Sequence, residues 1–294
     1  MTPDWIAVDW GTSSLRLWAM GAEGPLAERR SDKGMGGLAP AAFEPVLLGL
    51  LDDWLPAAGR LPVLICGMAG ARQGWREAPY AAVPCHPSAR PMPVPTADPR
   101  LDVAILPGLC QMDPPDVMRG EETQLAGLLA ERPDFAGLAC LPGTHSKWAR
   151  LEGGEVTGFA TVMTGEVFAL LSRQSVLRHS LGEGWDEAAF DAAVAEALAA
   201  PARIPALIFG IRAGSLLADL APDTARARLS GLLIGAELAA IGPVTGPVAI
   251  IGDAGIAAPY ARALTLAGAL PERHDAARLT LAGLAAARKT REIA

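Results

Sequence analysis

Asp9, Gly11, Thr12, Ser13 and Ser14 place one acid, one glycine and three hydroxyls in a single short turn. That make-up suits a phosphate chain and its metal. Gly11 lets backbone approach an anion closely. The amides of Thr12, Ser13 and Ser14 can converge on phosphate oxygens, and Asp9 can hold a magnesium ion through water. A second polar turn, Gly143-Thr144-His145-Ser146-Lys147, carries two hydroxyls, a histidine and a cation. Two further loops carry candidate groups: Arg72-Gln73, in a glycine-rich segment, and Asp116 to Gln124, where charged residues including Arg119, Glu121 and Glu122 are packed. Gly252-Asp253-Ala254-Gly255 is a turn suited to the floor of a ribose and adenine site.

The flanking residues dictate how these groups are held. Ile6 and Val8 share one face of a strand, and Leu15 and Leu17 share one face of the next, because side chains alternate along an extended chain. The first polar turn therefore joins two strands of a hairpin, and 26–30 supplies a third strand. The spacing of Phe43, Val46, Leu47, Leu50, Leu51 and Trp54 predicts a helix over 40–56. Residues 62–66 and 103–106 are short buried strands, and the proline-rich stretch 79–99 is irregular. The Arg72 loop thus follows a buried strand, at the end where α/β sheets bind ligands. Glu121 and Glu122 open a helix, where acids suit the dipole. Gly34-Met35-Gly36-Gly37-Leu38-Ala39 fits a loose dinucleotide pattern, but no strand leads into it and it is set aside.

A boundary falls near Pro133 to Gly137. Beyond it, 138–148 again reads strand, polar turn, strand. Glu155 to Val162 is a third strand, and Thr164 is placed to cap the helix that follows. Helices are expected over 186–200, 205–219 and 223–241, a strand over 248–251, and helices over 258–267 and 279–288.

Trp10-Gly11-Thr12-Ser13-Ser14-Leu15-Arg16 aligns with Pro142-Gly143-Thr144-His145-Ser146-Lys147-Trp148. Such a repeat, about 130 residues apart, implies two related domains, 1–137 and 138–294, facing each other. Two facing turns can hold a nucleoside triphosphate from both sides. Phosphoryl transfer is mostly positioning and charge neutralisation, so such a clamp is a sufficient catalyst. No Walker sequence is present.

Composition narrows the partners. The chain has 294 residues, 51% of them hydrophobic, with a formal charge of −7. Nucleic acid is not expected, since it calls for a basic footprint. Cys66, Cys85, Cys110 and Cys140 match no zinc spacing. They fit a reducing cytoplasm. No leader is read at the N-terminus. The apolar stretches 188–200 and 231–242 are interrupted by Asp191, Glu196 and Glu237, so no bilayer span is expected.

The order hairpin, hairpin, Gly-Asp-Ala-Gly resembles the sugar kinase, Hsp70 and actin superfamily. Four loops, 67–75, 117–124, 141–148 and 163–166, are similar to those of the 2-dehydro-3-deoxygalactonokinase family. The resemblance implies an α/β, two-domain actin-like ATPase (ribonuclease H-like) fold with an interdomain cleft. It implies transfer of the ATP γ-phosphate to the 6-hydroxyl of 2-dehydro-3-deoxy-D-galactonate, in galactonate and galactose catabolism, with ATP and Mg2+ bound. The N-terminal domain would bind the sugar acid and phosphates, and the C-terminal domain ATP. A homodimer is compatible with the sequence. Gly11 to Ser14, Gly143, Thr144, Ser146, Gly252, Asp253 and Gly255 would bind ATP and its phosphates, and Asp9 the metal. His145 and Lys147 join the catalytic set. Arg16, Arg72 and Arg119 are the candidates for the substrate carboxylate, since a guanidinium fork matches it. Gln73, Thr164 and Glu166 would bond its hydroxyls.

One departure stands out. The position matching Asp9 in the second hairpin is Leu141, where many kinases of the superfamily keep a catalytic aspartate. A base must then come from Glu121, Glu122, Asp116 or His145, with Glu121 or Glu122 preferred. Two other readings keep the same fold: a phosphoanhydride hydrolase and a nucleotide- or sugar-binding regulator without turnover.

Overall fold

The computed structural model describes residues 2–88, 90–244 and 246–293. The chain divides into two compact units. The first contains Met1–Phe135, the hairpin tip Leu151–Gly158 and the C-terminal segment Ala276–Ala294. The second contains Ala136–Arg150 and Phe159–Asp275. The first break falls within two residues of the boundary read from sequence, but the last helix returns to the first unit.

In the first unit, strands β1 (Trp5–Trp10), β2 (Leu15–Gly21) and β3 (Gly24–Ser31) form an antiparallel meander. Helix α1 (Phe43–Leu51) leads to β4 (Leu61–Gly67), which pairs parallel to β1. The proline-rich stretch contains two short strands, β5 (Tyr80–Ala82) and β6 (Met92–Val94). Strand β7 (Leu101–Ile105) pairs parallel to β4, giving a six-stranded sheet of order β3-β2-β1-β4-β7-β6. A hairpin, β8 (Gly108–Met112) and β9 (Pro115–Met118), joins β5 in a small second sheet and carries the chain into α2 (Glu121–Glu131).

Alternation along β1 decides what covers each face. Ile6 and Val8 pack with Leu15, Leu17, Phe43, Leu47 and Leu51. Trp5 and Ala7 face the other way, with Trp18, Leu284 and Ala287. A strand buried on both sides has a fixed register, because a one-residue slip would exchange its faces. Asp9, near the end of β1, is therefore held opposite Arg16 on β2 and Cys66 on β4.

The second unit repeats this plan. Strands β10 (Gly137–Leu141), β11 (Ser146–Glu152) and β12 (Glu155–Val162) precede four helices: α3 (Thr164–Arg173), α4 (Glu187–Ala199), α5 (Ile204–Leu217) and α6 (Pro222–Ile241). Strand β13 (Pro247–Ile251) pairs parallel to β10. Helix α7 (Ala254–Leu266) then leads to β14 (Leu270–His274), parallel to β13, and α8 (Ala276–Ile293) closes the chain. The sheet order is β12-β11-β10-β13-β14, matching β3-β2-β1-β4-β7. Two such sheets with the same parallel additions constitute the duplicated, ribonuclease H-like architecture of the actin-like ATPases. Cys140, Val248 and Ile250 pack against Phe190, Val194, Ile234 and Leu238 of α4 and α6.

Three sequence expectations change. Thr164 is the first residue of α3 rather than its cap, and Met163 stands in the cap position. Helix α7 begins at Ala254, so Gly255 lies inside its first turn. Strands β8, β9 and β14 arise where none was read; β9 and β14 are largely exposed and lack an apolar face.

Candidate active site

The first polar turn is closed by the Gly11 amide, which donates to the Ser14 carbonyl at 2.8 Å. The segment set aside as a dinucleotide pattern lies against it. Met35 and Gly36 amides donate to the carbonyls of Gly11 and Thr12. A Cβ on Gly34 would stand 2.4 Å from the Thr12 carbonyl oxygen, so only glycine fits there. These bonds engage carbonyls, while the side chains of Thr12, Ser13 and Ser14 remain exposed. Thr12, Ser13, Lys33, Gly34 and Gly36 border a cavity of about 520 Å³.

Asp9 sits beside this turn. Burial raises its carboxyl above the usual range, while Arg16 and a contact from the Cys66 thiol oppose the rise. Cys66 Sγ lies 3.9 Å from Asp9 Oδ1. Among the described residues no cluster of three or more histidines, cysteines or acids could hold a metal. A single desolvated carboxylate fits magnesium, which keeps most of its waters and binds through one or two carboxylates together with phosphates.

The Glu121–Glu122 pair is not what the sequence suggested. Glu122 is fully buried; its carboxylate accepts from the Gly120 amide and the Thr123 hydroxyl. Burial, reinforced by Glu121, pushes its pKa up to about 8. A carboxyl that is mostly protonated at neutral pH is a poor general base. Glu121 Oε2 accepts from the Arg119 amide at 3.1 Å. Asp116 is occupied locally, accepting from the Val117 amide.

The three arginines separate clearly. Arg16 approaches Glu28 at 3.8 Å and lies over Trp18. Arg72 is 80% exposed and pairs with Glu77, and Gln73 beside it is exposed. Arg119 donates to the Ala78 carbonyl and stacks over Tyr80 at 4.4 Å, yet its Nε and Nη1 are buried with no hydrogen-bond partner.

In the second unit, the Gly143–Thr144 turn lies against the start of α3. The Glu166 amide donates to the Thr144 carbonyl at 2.9 Å, and the Glu166 carboxylate meets His145 Nε2 at 2.6 Å. Gly143, Thr144, Thr164, Gly165 and Gly255 border a cavity of about 700 Å³. Its other walls include Phe168, Trp185, Arg226, Ile256 and Tyr260. Arg226 lies 5.3 Å over the Phe168 ring. The cavity combines aromatic and aliphatic walls, a backbone turn, two arginines (Arg173 and Arg226) and one acid (Glu183), a make-up that suits a nucleotide-sized site.

Several expected ligands are placed elsewhere. Ser146 is fully buried, and its hydroxyl bonds Tyr260 OH at 2.7 Å, so it does not reach a phosphate. Lys147 is buried and donates to Thr161 on β12 at 2.8 Å. The reason is alternation at the start of β11, which turns Ser146 and Trp148 toward the helices behind the sheet. The Thr164 hydroxyl bonds Glu237 rather than facing a sugar. Gly252 and Asp253 precede α7 and do not border the cavity, whereas Gly255 does.

The residue overlooked from sequence is Glu237. It is 1% exposed on α6 and accepts from Trp148 Nε1 at 2.6 Å and from Tyr260 OH at 2.7 Å. Its signal was present: an acid inside an apolar helical run, which counted only against a membrane span. Among the described residues no single helix is long and apolar enough to cross a membrane.

Comparison with known proteins decides the family. The family model for 2-keto-3-deoxy-galactonokinase matches residues 9–287. This chain belongs to the 2-keto-3-deoxy-galactonokinase family. It is 46% identical over 295 residues to DgoK1 of Rhizobium meliloti (strain 1021), a 2-dehydro-3-deoxygalactonokinase by name, covering 96% of this chain and 95% of that one. It is 39% identical over 248 residues to the 2-dehydro-3-deoxygalactonokinase of Escherichia coli (strain K12), covering 82% and 81%. A crystal structure of a protein of the same name from Sinorhizobium meliloti superposes with a TM-score of 0.91 at 45% identity, covering 97% of this chain and 98% of that one. This member of the family is thus a sugar-acid kinase.

Proposed function

We propose that this kinase transfers the γ-phosphate of ATP to the 6-hydroxyl of 2-dehydro-3-deoxy-D-galactonate. The observation that carries the nucleotide half is the cavity of about 700 Å³ bordered by the Gly143–Thr144 turn. Its apolar walls suit a base, and Arg226 suits the phosphate side. Family membership supports the choice of acceptor.

Within the first unit, the Gly11–Ser14 turn offers amides and hydroxyls to phosphate oxygens. Asp9 would hold Mg2+, which when bound neutralises charge on the phosphate oxygens. Phosphoryl transfer through a loose transition state needs charge stabilisation more than early proton removal. Glu121 keeps the role of base, since Glu122 is protonated near neutral pH. Arg119 is assigned to the substrate carboxylate because it alone of the three candidate arginines has buried, unsatisfied donors. His145, oriented by Glu166, would face phosphate from the second turn.

The test is ADP release with Mg2+, ATP and a panel of 2-keto-3-deoxy sugar acids. Release dependent on the galactonate-derived acid, with phosphate found at its 6-position, is the expected result. Release without an acceptor would replace this reading with a hydrolase. No release with any acid would overturn it.

A further inference from the structure

Glu237 has no place in the chemistry described above, yet it is buried and hydrogen-bonded to several elements of the second unit. Its carboxylate accepts from Trp148 Nε1 on β11 at 2.6 Å and from Tyr260 OH on α7 at 2.7 Å. It also accepts from the hydroxyl of Thr164, at the start of α3, and lies within hydrogen-bond reach of the Ser146 hydroxyl, at the start of β11. Ser146 Oγ lies 2.7 Å from Tyr260 OH, and since each hydroxyl has one proton and that of Tyr260 goes to Glu237, Ser146 donates either to Tyr260 or to Glu237.

These donors are not scattered. Thr164 and Tyr260 both border the cavity of about 700 Å³. Ser146 ends the segment that begins with the Gly143–Thr144 turn. Gly165, next to Thr164, touches that turn so closely that a Cβ would stand 2.2 Å from the Gly143 carbonyl oxygen. One buried carboxylate therefore ties three elements of the cavity wall to α6. Burying an acid is costly unless it is fully hydrogen-bonded, and an apolar residue would pack α6 with no such cost. The carboxylate makes sense where fixed geometry of the wall outweighs that cost.

We infer that Glu237 is a positioning residue for nucleotide binding: it sets the Gly143–Thr144 turn, Thr164 and Tyr260 in the arrangement that receives ATP. The inference rests on the nucleotide reading of this cavity. It assigns Glu237 no contact with ATP or with the sugar acid. A side chain holding the wall affects the nucleotide's affinity and leaves the acceptor's affinity untouched.

Three variants of the full chain test it, by steady-state kinetics and by calorimetric titration with ATP. Glu237→Gln keeps the volume but offers a donor where donors already converge. It should weaken ATP in both KM and Kd by about tenfold, with the KM of the sugar acid unchanged. Tyr260→Phe removes one hydroxyl and should weaken ATP by a smaller factor in the same direction; it serves if Glu237→Gln does not fold. Ala258→Trp fills the cavity without touching the network, since Ala258 borders the cavity and is exposed. Loss of ATP affinity in all three supports the inference. Loss in Ala258→Trp alone overturns the role of Glu237 and keeps the cavity assignment. Unchanged ATP affinity in Ala258→Trp overturns the cavity assignment itself. Equal changes in both substrates' KM for Glu237→Gln would mark a merely structural acid.

Discussion

Gly165 and the Gly143 carbonyl are in such close contact that a Cβ on Gly165 would lie 2.2 Å from the oxygen. The neighbours are backbone, which cannot swing aside. Gly165→Ala should therefore push α3 away from the polar turn and cost about 1–3 kcal/mol. Thermal unfolding should show the loss, accompanied by a higher KM for ATP. Gly255→Ala, whose Cβ would meet nothing within 4 Å, is the matched control on the same cavity. Equal effects of the two substitutions would refute this reading of the contact.

Asp9 is desolvated, and burial raises its carboxyl. An ionised group in such a place costs stability and is retained for its charge. Asp9→Asn should lower kcat at least about a hundredfold while the melting temperature stays level or rises. Full activity in this variant would remove Asp9 from the metal role. Lost activity together with a collapsed fold would mean that the carboxylate is structural.

Glu122 makes stability depend on pH. Its carboxyl rises from 4.5 to about 8 in the fold. A group raised on folding contributes its full stabilisation below the unfolded value and loses it as pH climbs through the folded one. Stability should therefore fall between pH about 5 and about 8, and Glu122→Gln should flatten that fall. Denaturant unfolding at the two ends of this range is the measurement. Identical slopes in wild type and variant would show that Glu122 is not the group responsible.

Arg119 carries buried donors without partners, whereas Arg72 is 80% exposed beside Glu77. An unsatisfied buried cation is expensive in the free protein and is relieved by a bound carboxylate. Arg119→Met should raise the KM of the sugar acid roughly thirtyfold, the low end for removing one member of a buried charge pair. The ATP KM should hold. Arg72→Ala should change neither KM appreciably. The reverse ranking would transfer the carboxylate to Arg72.

The hairpins were legible because their signal is local. Ile6, Val8, Leu15 and Leu17 alternate around a polar turn, and the structure buries all four in one core. The duplication was legible because the second copy repeats Gly-Thr-x-Ser, and the two sheets share one strand order. Strand β14 was not legible: Leu270–His274 is largely exposed and has no apolar alternation, and it is a strand because β13 offers a parallel edge. The Gly34–Gly37 segment has a motif's look, but Gly34 and Gly36 serve close backbone contact with the first turn.

The sequence by itself determined the class of chemistry and the repeated scaffold, since alternation, turn composition and the loop motifs are properties of neighbouring residues. Only the tertiary structure decided which polar groups are exposed and which are consumed inside. Ser146 and Lys147 share a polar turn with Thr144, yet both are buried, Ser146 against Tyr260 of α7 and Lys147 beside Thr161 of β12, while Thr144 borders the cavity. Glu237 bonds with Tyr260, 23 positions away, and Trp148, 89 positions away, and these two, together with Ser146 and Thr164, meet it only once sheet and helices have packed. Burial and long-range hydrogen bonding depend on the whole packed fold, so no local pattern could assign those residues.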